Sequence, residues 1–189
     1  MTAILLNALL IVLEIRGLSL AWPGRRWSLL LFYTQISNLI AAVSAVLLLI
    51  AGRQTWAAPV RYLGTCMLVM TFLVTAFVLV PMTRKPKLLL GTGSCLYHHV
   101  LCPAVSTVSY LFAEPHAGRE TILLPIAVTM VYGIILLFLN ARRITDGPYP
   151  FFRVHHQSVR ATILWILVLL GAIAAISAAV YLLAGRITH

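Results

Sequence analysis

Residues 163–180 read ILWILVLLGAIAAISAAV, a stretch with no charged side chain and a single hydroxyl, at Ser177. A helix needs about 20 such residues to cross a hydrocarbon core ~30 Å thick. The run is solidly apolar rather than alternating, which excludes a strand of a closed membrane barrel. The same pattern recurs upstream, for example in AVSAVLLLIAG at 42–52. Six runs of this kind are read, over approximately 3–22, 28–51, 59–81, 88–112, 120–141 and 161–185. The expectation is an all-α integral membrane protein, a six-transmembrane-helix bundle forming a single domain over 1–189.

Composition agrees. Apolar residues make up 61% of the chain and charged residues only 10%, whereas a soluble domain is about a quarter charged. The first run is not read as a cleavable signal, because no basic segment precedes it and Glu14 and Arg16 interrupt it.

A net charge of +10 could suggest nucleic acid, but the basic residues lie in short connectors rather than on one arm or face. Nine of them (Arg25, Arg26, Arg84, Lys85, Lys87, Arg142, Arg143, Arg153 and Arg160) fall in connectors one, three and five. Four (Arg53, Arg61, Arg119 and Arg186) fall in connectors two and four and the C-terminal tail. That asymmetry places the odd connectors in the cytoplasm and both termini outside.

Cys66, Cys95 and Cys102 all lie within expected helices, where a thiol packs as a small apolar residue. No disulfide, metal site or cofactor is expected. The longest connector, 142–160, contains DGPYPFF at 146–152. Gly147, Pro148 and Pro150 forbid a continuous helix there, and the aromatic residues suit a membrane interface. His155 and His156, further along, read as a solvated interfacial pair.

Polar groups at depth are costly in a membrane and mark candidate functional positions. At ~1.5 Å per helical residue, Thr34 lies about 10 Å, Glu14 about 12 Å and His98 about 15 Å from the cytoplasmic end of its helix. Three helices thus bring a hydroxyl, a carboxylate and an imidazole to similar levels. Thr34 alone also fits a packing hydroxyl bonded to its own backbone, but Gln35, Ser37 and Asn38 beside it exceed what packing requires. His98 and His99 point about 100° apart, so at most one faces a given site. Adjacent histidines on one helix cannot clasp a haem iron from both sides. Glu14 reads either as a structural carboxyl or as an orienting group, with Asn38 as a further orienting or cavity-lining residue. Hydroxyl plus imidazole is the pairing of nucleophilic catalysis.

The segments LLFYTQISNL (30–39), LYHHVLCP (96–103) and GPYPFF (147–152), in that order, resemble the androgen-induced membrane protein family and its bacterial six-helix relatives. Animal members are threonine hydrolases that cleave fatty acid esters of hydroxy fatty acids. The resemblance implies Thr34 as nucleophile and His98, five residues before Pro103, as base. In some bacterial relatives the histidine stands four before the proline, which here is His99. It further implies a substrate-entry element at Tyr149, Pro150 and Phe151, and a place in a bacterial cytoplasmic membrane. Two departures stand out: Cys95 replaces a further family histidine, and the charge asymmetry opposes the cytoplasmic termini of animal members.

The expected function is an intramembrane lipid ester hydrolase whose partners are the bilayer and a membrane lipid or fatty acyl ester. The alternative is a non-enzymatic small transporter or lipid-binding protein whose polar residues line a pathway.

Overall fold

In hydrocarbon a backbone amide has no water to bond, and an α-helix satisfies nearly all of its amides within one segment. The computed structural model describes residues 1–51 and 55–187, and among these there is no strand. The bundle comprises α1 (Thr2–Arg25), α2 (Tyr33–Ala51) and α3 (Ala58–Thr83, with a π turn at Thr75–Leu79). It continues with α4, one rod made of Gly93–Leu96, the π turn Tyr97–Leu101 and Cys102–Ala113, then α5 (Leu124–Ala141) and α6 (Val159–Ile187). Among the described residues, five helical spans are long and apolar enough to cross a membrane. The remaining rod, α4, is less apolar because it carries His98, His99 and several hydroxyls. The chain is an all-α, multi-pass membrane protein.

The central helix is α3, which packs on α2, α4 and α6. It buries 56% of its most apolar window, against 17% for the span containing α5. Small residues allow this close approach: a Cβ at Gly64 of α3 would stand 3.0 Å from the Ala41 Cα of α2. On the periphery, Val12 and Ile15, Ile134 and Phe138, and Ile163 and Leu167 face outward. An apolar surface of that extent requires lipid around it.

Connector one departs from expectation. A positive φ of 48° at Arg26 stops α1, residues 26–31 form a 3-10 segment, and Phe32 is extended. The second helix therefore begins at Tyr33 rather than 28, and Thr34 falls in its first turn. The expected helix 88–112 is likewise broken. A short helix, Pro86–Leu90, ends at Gly91, and Gly93, where α4 starts, takes φ +55°, a left-handed conformation that glycine adopts without the strain a side chain brings.

Arg61, assigned from sequence to connector two, is instead fully buried inside α3, so it leaves the tally of exposed basic residues. Arg53 lies outside the described residues.

The long connector contains only two short 3-10 turns, Pro150–Phe152 and Val154–His156. Asn140, at the end of α5, anchors it. The Asn140 side-chain amide donates to the Thr145 carbonyl (2.8 Å), and its Oδ1 accepts from the Val154 amide (2.9 Å). Gly147, at φ +72°, turns the chain back into the bundle. Tyr149, Phe151 and Phe152 are buried as a result, while His155 and His156 are exposed.

Candidate active site

Each polar residue of TQISN has a separate task. Ser37 donates to the Thr34 carbonyl (2.9 Å) and meets Thr71 of α3 (2.8 Å). Asn38 donates to the same Thr34 carbonyl (2.6 Å) and to the His98 carbonyl (3.3 Å), holding the π turn of α4 against α2. Asn38 thus ties two backbones together and does not border the slot beside Thr34 described below. Gln35 donates its amide to His98 Nδ1 (3.0 Å). The Thr34 hydroxyl remains, buried and facing two side chains, His99 and Tyr149.

The two histidines are both buried and serve different neighbours. His99 Nε2 lies 3.4 Å from Thr34 Oγ1, while His99 Nδ1 lies 2.7 Å from the Leu89 carbonyl. A carbonyl can only accept, so the Nδ1 atom carries the proton and Nε2 presents its lone pair to the threonine. His98 is held the other way round. Gln35 Nε2 can only donate, so His98 Nδ1 accepts and His98 Nε2 carries the proton, with Glu14 Oε2 3.8 Å away. The expected Thr34–His98 pair is therefore corrected: His99 reaches the hydroxyl, and His98 and Glu14 form a separate pair. Glu14 does not orient the imidazole beside Thr34; the Leu89 carbonyl does.

The glycine break explains why that carbonyl is free. With the short helix ending at Leu90, Leu89 has no intrahelical amide four residues on and can accept from His99. The π turn Tyr97–Leu101 contains both histidines, and such single-turn insertions recur at functional sites. Gly17 of α1 gives His98 its room, since any Cβ there would collide with the imidazole.

Tyr149 arrives from the other end of the chain. Its Oη accepts from the Thr34 amide (3.3 Å) and lies 3.4 Å from Thr34 Oγ1. Stacking on Phe151 (ring centroids 5.1 Å apart, planes at 6°) and an edge contact with Phe32 fix its ring. Burial pushes the Tyr149 phenol above its ordinary value, so the hydroxyl stays protonated. Pro150 and Phe151 complete the same turn, and of the three residues assigned to substrate entry it is Tyr149 that touches Thr34.

Thr34 and Tyr149 also border a cavity of about 160 Å³. Its walls are apolar: Met70, Val74 and Leu79 of α3, Met130, Gly133 and Leu137 of α5, and Ile166, Leu169 and Leu170 of α6. Of the hydroxyls along it, Thr71 is bonded to Ser37 and Thr129 to Tyr33. Met130 and Ile134, which also line it, are exposed on the lipid side of α5, so the slot opens toward the membrane. Neither histidine nor Glu14 borders it.

A second polar centre sits at the opposite end of the bundle. Arg61 Nε donates to Glu114 Oε2 (2.7 Å) and Nη2 to Oε1 (2.8 Å), with Ser44 Oγ accepting from Nη1 (3.1 Å). Asn7 of α1 and Ser109 of α4 donate to the same carboxylate at 2.8 and 2.5 Å. Burial alone would raise the Glu114 carboxyl, but Arg61, Ser109 and Asn7 together hold it below the usual carboxylate range. This network was not anticipated. Its signal was Glu114 itself, one of only four acidic residues in a chain with fourteen Lys and Arg.

Cys66, Cys95 and Cys102 are free thiols. Among the described residues no group of three His, Cys, Asp or Glu is placed to hold a metal ion. Chemically, the chain from the Leu89 carbonyl through His99 to Thr34 has the connectivity of an activated nucleophile: hydroxyl, base, and a third group orienting the base. Comparison with known proteins gives no matching family model, no matching curated protein and no matching solved structure.

Proposed function

We propose that this chain is an intramembrane lipid ester hydrolase in which Thr34 is the nucleophile and His99 the base. The observation that carries the reading is the single-sided arrangement at Thr34. An acceptor nitrogen of fixed tautomer lies on one flank of its hydroxyl, and an apolar slot open to lipid lies on the other. An acyl chain in that slot would bring its ester carbonyl to the polar end, where Thr34 stands.

In the first half-reaction Thr34 Oγ attacks the acyl carbon, its proton passes to His99 Nε2, and the alcohol departs with that proton. A water then attacks the acyl-threonine, gives a proton to His99 and releases the acid, restoring Thr34. The imidazole serves as base and then acid in each half. The 3.4 Å separation is long for a hydrogen bond to a hydroxyl, and such contacts tighten when substrate fills the site. Site sizes point to a slender ligand: drug-sized pockets run to about 300–1,000 Å³, well above this slot.

The resemblance to the androgen-induced membrane protein family supports the same chemistry, with fatty acid esters of hydroxy fatty acids as the substrate class it suggests. The basic connectors support an orientation with both termini outside a bacterial cytoplasmic membrane. Non-enzymatic lipid binding would use the same slot without needing the tautomer-fixed imidazole. Intact-protein mass spectrometry after treatment with a fluorophosphonate decides between them. Labelling that maps to Thr34 is the expected result, and an unlabelled protein that still binds fatty acid would leave the binding role.

A further inference from the structure

Resting on the hydrolase reading above, we infer that the Tyr149 hydroxyl and the Thr34 backbone amide form the oxyanion site of the reaction. Three independent features converge on this pair. Tyr149 Oη lies 3.3 Å from the Thr34 amide nitrogen and 3.4 Å from Thr34 Oγ1, so both donors stand beside the atom that would bond to the acyl carbon. Thr34 is in the first turn of α2, where an amide has no carbonyl of its own helix to bond. It is this amide that donates to Tyr149, a contact an incoming oxygen can replace. Both residues also line the polar end of the slot, so a carbonyl carried in on an acyl chain arrives between them.

The electron count is straightforward. As Thr34 Oγ bonds to the acyl carbon, the carbonyl π pair moves to oxygen and the hydroxyl proton moves to His99 Nε2. The resulting alkoxide accepts from the Thr34 N–H and from the Tyr149 O–H, which turns from Oγ1 toward it. When the alkoxide collapses and the alcohol leaves with the His99 proton, both donors return to their resting contacts. Tyr149 keeps its proton throughout. His99, held at the Leu89 carbonyl, does not line the slot that Thr34 and Tyr149 border, so base and oxyanion donor are separate groups.

The test is Tyr149→Phe in the full-length protein, which keeps the ring that stacks on Phe151 and removes only the hydroxyl. Loss of one oxyanion donor typically costs about 10²–10³-fold in kcat. We expect a fall of that order with KM for a long-chain ester little changed, and a parallel slowing of fluorophosphonate labelling at Thr34. Wild-type kcat in Tyr149→Phe, in a protein whose turnover still requires Thr34, overturns the inference and leaves the dyad intact. Turnover that does not require Thr34 overturns both. A raised KM with unchanged kcat would make Tyr149 a wall of the slot and also overturns the assignment.

Discussion

His99 Nδ1 lies 2.7 Å from the carbonyl oxygen of Leu89, ten residues earlier in the chain, and that bond leaves Nε2 as an acceptor 3.4 Å from Thr34 Oγ1. Backbone here does the orienting that a carboxylate does in the serine triad.

The first prediction separates the two histidines. Thr34→Ala and His99→Ala should each lower ester turnover by about 10²–10⁴-fold, the usual worth of a positioned base. The double variant should be scarcely worse than either, because the two act as one unit. His98→Ala should instead lower stability, by about 1–3 kcal/mol, through the buried Gln35 amide it leaves without its acceptor. Turnover per folded molecule should survive. Single-turnover kinetics alongside thermal melts would read both, and inactive but stable His98→Ala would reverse the assignment.

A second prediction concerns chain length. Nothing lies within 4 Å of a Cβ built on Gly133, because that position borders the open slot. Gly133→Leu fills the slot while removing a poor helix former, which favours the helix by up to about 1 kcal/mol. The ratio of long-chain to acetyl ester turnover should fall sharply, with the protein at least as stable. An unchanged ratio would mean that the acyl chain lies elsewhere.

The buried ion pair yields a third. Glu114→Ala leaves Arg61 charged and unpaired in a site with no exposure, a loss of about 3–5 kcal/mol. The double change Arg61→Met, Glu114→Leu should recover much of it. The pH dependence has a definite sign. Since the folded carboxyl lies below its ordinary value of about 4.3, the pair contributes fully above that value, and its contribution fades as pH falls through the lowered one. Melting in detergent from neutral to acid pH, wild type against the double variant, would check this.

Orientation gives the fourth. In a background without native cysteines, Arg119→Cys should react with an impermeant thiol reagent in intact cells and Arg84→Cys should not, both positions being exposed. Reaction at Arg84→Cys alone would invert the protein in the membrane.

The helices were legible because length and apolarity suffice to specify a membrane span, and Thr34 because four polar residues crowd one turn of an otherwise apolar run. That His99 rather than His98 contacts Thr34 was not. It depends on a π turn, which is a shift in backbone bonding, and on a carbonyl freed by the break at Gly91–Gly93. Carbonyls leave no mark in a sequence. Arg61 misread for another reason: an arginine near a helix start looks like a connector residue until its partner, 53 positions away, is in place.

Thr34 and His99 lie on α2 and α4, whereas Tyr149 and most of the slot come from segments made later, α5, the connector and α6. The first four helices therefore supply the hydroxyl, the imidazole and only the α3 wall of the slot, made of Met70, Val74 and Leu79. Tyr149 itself sits in the loop that Asn140, at the end of α5, ties down on both sides. On the proposed hydrolase reading, the order of synthesis would act as a safety catch, leaving Thr34 and His99 without a closed seat for substrate until α5, the connector and α6 have been made.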